Sequence, residues 1–247
     1  MPHSSRFCVI AQPRTGTEWL IDRLHRHPAI ACHRDLFHPN SIGHRLPAAL
    51  ASALPTVAQR DAAPLALLDQ VFALSGQAYP ARPWFGFKLF LQHAQEVRRQ
   101  VRLSSNWRLV VLERRNKLAQ YASLMTANET RRWGSLVEPG PDGRVPPEAA
   151  LPVTLALPEF LAWMDKETQR YARLRERLRK REGVLELNTE ELDERADEVL
   201  GLLGLPGTLP APKPRRQWDA PLQERVRNWA ELDAWARANG HEDWLTI

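Results

Sequence analysis

The residues best equipped for chemistry lie near the start of the chain, in Ala11-Gln12-Pro13-Arg14-Thr15-Gly16-Thr17-Glu18-Trp19. Gly16 lets the backbone turn its amides toward an anion, Thr15 and Thr17 add hydroxyl donors, and Arg14 supplies a cation. A helix beginning near Thr17 would add its positive end. Four kinds of donor within one turn suit a phosphate or sulfate group. The same residues would also serve a plain strand-to-helix turn, which needs only a glycine and a threonine cap. The nucleotide-kinase loop G-x-x-x-x-G-K-[ST] is a different pattern, because this chain has neither its lysine nor its glycine spacing.

A second constellation follows about a hundred residues later, in Arg108-Leu-Val-Val-Leu-Glu-Arg-Arg-Asn-Lys-Leu-Ala-Gln-Tyr-Ala-Ser123. Arg115, near a strand end, and Ser123, about two helical turns further on, could converge on one phosphate, given a rise of ~1.5 Å per residue and the reach of arginine. Alternatively, Arg114, Arg115 and Lys117 coat a helix start, unfavourably for its dipole, and Ser123 is a small packing residue.

These segments need a frame, and the hydrophobic pattern supplies one. Short apolar runs at residues 7–11, 29–32, 85–90, 108–112 and 184–187 predict five strands. Between them, Trp19, Leu20 and Leu24 mark one helical face, and residues up to about 76 read as short helices punctuated by proline. A charged helix ends near Arg102, and another covers Lys117 to Ala127. Phe160, Trp163, Met164, Tyr171, Leu174 and Leu178 recur at spacings of three, four and seven, so 156–181 reads as one long amphipathic helix. Asn188-Thr189 would cap a helix over 190–203 with Glu191 close behind, and Gly204 would end it. Strands alternating with helices predict an α/β fold with a parallel sheet of about five strands flanked by helices. Residues 1–247 read as a single domain, with a Gly and Pro rich mobile loop at 134–152 and a C-terminal helical extension at 218–247. No internal repeat is visible.

The bulk numbers agree with one globular core: 247 residues, 43% hydrophobic and 26% charged. The excess of 34 Lys plus Arg over 29 Asp plus Glu gives a charge of +5 and suits anionic ligands, although nucleic acid and anionic membranes attract basic proteins equally well. Cys8 and Cys32 lack metal-ligand spacing and read as free thiols of a reduced compartment. No signal region and no apolar run of ~18 residues is present, which predicts a cytoplasmic protein without stable membrane insertion.

Pro13, Arg14, Thr15, Gly16, Thr17 and Trp19 together resemble, in order, the 5′-phosphosulfate loop P-K/R-S/T-G-T-T-W/L of the sulfotransferases. Glu18 departs from it, standing where a hydroxyl residue is usual. Arg115 and Ser123 resemble the same family's 3′-phosphate segment. The stretch from His27-Pro28 to His38 and the segment Gly86-Phe87-Lys88 are similar to bacterial and carbohydrate-directed, Stf0-like members. The resemblance implies the P-loop-like sulfotransferase fold, with 3′-phosphoadenosine 5′-phosphosulfate (PAPS) as sulfuryl donor, 3′-phosphoadenosine 5′-phosphate (PAP) as product, and no metal. Arg14, Thr15, Gly16, Thr17, Glu18 and Trp19 would bind the 5′ end, and Arg115 and Ser123 the 3′-phosphate. The family's glycine-bearing R-K-G clamp is absent; Arg215 and Arg216 could supply that contact or form a basic surface turn.

Sulfuryl transfer needs a base for the acceptor and positive charge on the leaving phosphate. Arg14 would stabilise the leaving oxygens, although it is a poor proton donor, and Lys88 could supplement it. Asp35 aligns with the acidic residue of related carbohydrate and lipid sulfotransferases and is the first choice of base. His33 is the second, for its better pKa, and Glu18 a third. Asp35 could instead cap a turn before Pro39, with the histidines as surface residues. The acceptor, a hydroxyl or amine on a carbohydrate, lipid or small molecule, is not specified by any motif. Tryptophans near the C-terminus would suit a homodimer interface. Two competing readings are a small-molecule kinase of P-loop type, disfavoured by the missing Gly-Lys-Ser, and a noncatalytic basic protein binding nucleic acid. The arginines of 172–181 and 213–216 would be the footprint of the latter, but no recognition module is visible and no nucleic-acid partner is expected.

Overall fold

A computed structural model of the chain describes residues 5–131, 133, 152–211 and 221–245. In chain order the elements are β1 (Ser5–Ala11), α1 (Thr17–Arg26), β2 (Ile30–Asp35), α2 (Ala48–Ala51), α3 (Val57–Ala62), α4 (Pro64–Ala78), β3 (Trp84–Phe90), α5 (Gln95–Leu103) and β4 (Trp107–Glu113). There follow α6 (Lys117–Thr130), α7 (Leu157–Leu178), β5 (Val184–Asn188), a 3₁₀ turn at Thr189–Glu191, α8 (Leu192–Arg195), α9 (Glu198–Leu202), α10 (Leu222–Arg225), α11 (Trp229–Ala238) and a last 3₁₀ turn at Glu242–Trp244. Chain contacts divide these into two compact units, one built from Met1–Glu113 and Glu176–Lys213, the other from Arg114–Arg175 and Pro214–Ile247.

The first unit holds the sheet, with all five strands parallel in the order β2-β3-β1-β4-β5. This is the α/β parallel sheet expected from the sequence. Central β1 is covered on both faces, so Phe7 to Ala11 are fully buried and the run is apolar without alternation. On one face Val9, Ala11 and Leu112 pack with Leu20 and Leu24 of α1 and with Val199 of α9. On the other, Phe72 of α4 meets the rings of Phe85, Phe87 and Trp107 at 6.1, 6.4 and 5.6 Å. Each such ring contributes about 1.5–3 kcal/mol of burial. Because β1 lies between β3 and β4, the chain leaves it toward one side and later returns on the other. Its carboxyl end is therefore a topological switch point, where ligands bind in open α/β sheets.

One expectation fails in this unit. Residues 190–203 do not form one helix but a 3₁₀ turn and the short α8 and α9, and Asn188 makes no side-chain cap bond. The side chains that would cap a single helix are oriented toward other partners. The Thr189 hydroxyl donates to the carbonyls of Thr15 (2.9 Å) and Glu113 (3.2 Å), and Asp197 at the break accepts from the Leu209 amide. Gly204 does take the left-handed conformation expected of a helix stop, with φ +65.

The second unit has its own core. Tyr121 of α6 meets Phe160 and Trp163 of α7 at 5.5 and 5.0 Å, and Phe160 meets Trp235 of α11 at 5.3 Å. The apolar stripe of α7 faces inward as its period required, with Phe160 and Tyr171 fully buried. The long helix stops at Leu178, three residues short of the expected end. Residues 134–151 of the anticipated loop, the basic pair Arg215 and Arg216, and residues 218–220 at the start of the C-terminal extension lie outside the described residues.

Candidate anion-binding site

In the first unit, β1 runs into the loop 12–16, where two residues take left-handed backbone, Arg14 at φ 66 and Gly16 at φ 74. For arginine this is uncommon; at Gly16 it is why glycine is required, since an added Cβ would also sit 3.2 Å from Leu192 Cδ1. The loop is fixed from inside and outside. Thr15, fully buried, donates its hydroxyl to Gln12 O at 2.8 Å, and the Thr189 bond holds the Thr15 carbonyl from the end of β5. Gly16 is the N-cap of α1 and offers no side-chain cap, so the first-turn amides are left for a ligand or water. Thr17 opens the helix, and its hydroxyl makes no bond among the described residues. Trp19 takes the Arg23 guanidinium over its ring at 4.5 Å. Burial lowers the Arg14 pKa, an effect partly offset by Glu18.

The carboxyl end of β3 adds the lysine. Lys88 pairs in register with Val9 of β1 on one side and Asp35 of β2 on the other, so the loop, the lysine and the acid share one sheet edge. The Lys88 ammonium donates to Glu18 Oε1 at 2.6 Å, and Arg34 Nε lies 3.4 Å from Glu18 Oε2. Burial alone would raise the Glu18 pKa; Lys88, by charge and hydrogen bond, and then Arg34 and Arg45 outweigh it and hold the carboxyl below its ordinary range.

Asp35 closes β2 at a register shift, and it is buried. Its Oδ1 accepts from the Phe37 amide at 3.1 Å, the turn-capping role open to it from the sequence. Its carbonyl accepts from Gly43 N at 2.9 Å, where the two backbones approach so closely that a Cβ on Gly43 would be 2.6 Å from that oxygen. Its Oδ2 makes no hydrogen bond but lies 3.0 Å from His93 Nδ1, an ion-pair distance with the ring turned out of hydrogen-bond alignment. His38 stands edge-on to His93, ring centres 6.4 Å apart.

His33 has a different environment. Its Nδ1 accepts from the Arg45 amide at 3.0 Å, so Nε2 carries the proton and donates to Ser75 Oγ at 2.6 Å, whose hydroxyl donates to Val71 O. Burial, reinforced by His25, His44 and Arg45, lowers its pKa to about 3. Both nitrogens are committed, leaving His33 no lone pair for an acceptor proton.

His93 was not singled out by sequence. It follows β3 in a polar stretch without a motif, and only the fold brings it to Asp35, 58 positions away in the chain. The thiols of Cys8 and Cys32 are free and buried, and burial pushes both upward, which leaves them inert as nucleophiles.

In the second unit, Arg115 is exposed and immediately precedes Asn116, the N-cap of α6. Asn116 accepts from the Ala119 amide at 2.8 Å and donates to Trp244 O at 2.8 Å, so this helix start is already capped. Lys117 is turned inward, donating to Arg114 O at 2.7 Å and lying over the Tyr171 ring at 5.1 Å. Ser123 is buried on α6 at 5% exposure. Among the described residues, no group of three or more His, Cys, Asp or Glu is arranged to hold a metal ion, and no helix is long and apolar enough to cross a membrane.

No protein-family model and no curated protein sequence matches the chain. Among solved structures it is similar to a sulfotransferase from Alicyclobacillus acidocaldarius, at 18% identity and TM-score 0.49, covering 97% of this chain and 94% of that one. It is also similar to mouse sulfotransferase SULT7A1 complexed with PAP, at 12% identity and TM-score 0.47, covering 98% and 83%.

Proposed function

We propose that the chain is a PAPS-dependent sulfotransferase. The observation that carries this reading is the loop 12–16. It is an anion cradle at the carboxyl end of β1, with left-handed Gly16, an uncapped α1, and Arg14 and Lys88 as its cations, in the residue order of a phosphosulfate loop without a kinase lysine. In this reading the loop amides, Thr17 and Trp19 hold the 5′ end of the nucleotide, while Thr15, expected from the sequence as a hydroxyl donor to the ligand, instead fixes the loop because its buried hydroxyl is committed to Gln12 O. Arg115 and Ser123 are assigned to its 3′-phosphate on their sequence spacing.

The step is a displacement at sulfur. The acceptor oxygen or nitrogen forms the new bond to sulfur, the bond from sulfur to the 5′-phosphate oxygen breaks, and PAP leaves with that electron pair. Arg14 and Lys88 offset the charge that builds on the leaving oxygen. The acceptor proton passes to the Asp35–His93 pair. His93 is the preferred base, because its Nδ1 lies 3.0 Å from Asp35 Oδ2, close enough for the carboxylate to stabilise the imidazolium that forms when Nε2 takes the proton. His33 is excluded from this role by its two committed nitrogens.

Calorimetric titration of the chain with PAP, beside ATP with magnesium, tests the reading. Selective PAP binding, lost in the Gly16→Val variant, is expected; preference for ATP with magnesium would overturn it. Sulfuryl transfer from radiolabelled PAPS to a panel of carbohydrate, lipid and small phenolic acceptors then identifies the acceptor class.

A further inference from the structure

Glu18 is the one residue that breaks the phosphosulfate-loop pattern, and its position makes the break costly by simple electrostatics. A carboxylate beside an anion site repels the ligand the site is built to hold. Yet the side chain is not turned away. One oxygen takes the Lys88 ammonium at 2.6 Å and the other lies 3.4 Å from Arg34 Nε, bridging the ends of β3 and β2 to the first turn of α1. The lysine side chain is only 7% exposed, so without Glu18 a nearly buried ammonium would stand beside a guanidinium with no anion between them. The Arg34 Nε hydrogen itself finds no acceptor of hydrogen-bond geometry, so the cluster retains an unused donor. Arg45, which also acts on Glu18, is tied to Asp22 at 3.5 Å.

We infer that Glu18 is the resident anion of the Lys88–Arg34 cation pair, and that an incoming sulfonate replaces it there. The loop thus carries its own stand-in for the group to be transferred. The identity of the replacing ligand rests on the sulfotransferase reading; the stand-in itself rests only on the ion cluster. Two consequences follow from the chemistry. PAPS, which has the sulfonate, must separate Glu18 from Lys88, whereas PAP, which lacks it, leaves the pair closed. After transfer the carboxylate recovers its lysine, which favours release of the product nucleotide. Glu18 is then a positioning residue acting through Lys88, and it tunes the ratio of donor to product affinity.

The test is calorimetry on the full chain with three probes: inorganic sulfate, PAP, and PAPS without acceptor. The near-isosteric Glu18→Gln variant should bind sulfate at least about tenfold more tightly than wild type, whose loop amides hold the anion without the Lys88–Arg34 pair, and should gain at least about tenfold in PAPS affinity. Its PAP affinity should gain clearly less than its PAPS affinity, because the bisphosphate has no sulfonate to take the place of the carboxylate. Adding Lys88→Met, or Arg34→Gln if the first double variant does not fold, should remove the gain. Equal sulfate binding by wild type and Glu18→Gln would overturn the inference, as would an equal gain on PAP and PAPS. Sulfate gained by Glu18→Gln while neither nucleotide binds any form would uphold the resident anion and sink the sulfotransferase reading instead.

Discussion

Two helix starts follow two strands of this chain, and they solve the same problem in opposite ways. At α1 the N-cap is Gly16, which has no side chain, and the first-turn amides are left open under a loop pinned by Thr15 and Thr189. At α6 the N-cap is Asn116, whose carbonyl oxygen takes the Ala119 amide, while its amide group ties the turn to Trp244. The first start can therefore bind an anion through backbone and dipole. The second has spent that capacity on its own stability, so any anion there must be held by side chains, which is the part proposed for Arg115 and Ser123.

The largest expected effect breaks the open start. Gly16→Val forces a β-branched residue into left-handed backbone against Leu192. It should cost about 2 kcal/mol of stability and on the order of 100-fold in PAP affinity, read by urea denaturation and calorimetry. Next comes the side-chain route. Arg115→Ala removes a charged donor beside the Asn116 cap, and should weaken PAP by about 2 kcal/mol, roughly 30-fold, read by calorimetry. If it instead leaves PAP binding intact, the contrast between backbone and side-chain binding collapses.

Asn116→Ala should do the reverse. It loses a cap, so stability falls by about 1 kcal/mol in denaturant melts. The smallest effect belongs to Thr189→Val, which removes the hydroxyl shared by the Thr15 and Glu113 carbonyls. PAP affinity should drop by about 1 kcal/mol, some fivefold, through a loosened loop. A Thr189→Ser variant should restore it, since the hydroxyl and not the methyl makes the bonds.

Much of the frame was legible because its causes are local. The strand at 7–11 shows as an uninterrupted apolar run because a central strand is buried on both faces, and α7 shows as a 3-4-7 stripe because one side of it packs. The Pro13 to Trp19 cradle was legible for the same reason: a glycine in left-handed backbone, a hydroxyl and a helix start lie within one turn. The expected helix over 190–203 misled because Thr189 and Asp197 carry the residue types of caps but are oriented toward partners outside the segment, Thr189 as donor to the Thr15 carbonyl and Asp197 as acceptor from the Leu209 amide. His33 misled similarly. Its neighbourhood in sequence suggested a base, whereas its nitrogens were settled by Arg45 and Ser75.

By itself, the sequence determined the alternation of strands and helices, the switch-point loop and the presence of cations around it, since each depends on residues within one or two turns of one another. Tertiary structure alone decided which charges meet. Glu18 finds Lys88 across 70 positions, and Asp35 finds His93 across 58. These pairings arise because parallel strands bring the carboxyl ends of β1, β2 and β3 to one edge, and strand order is a property of the packed sheet rather than of any local stretch.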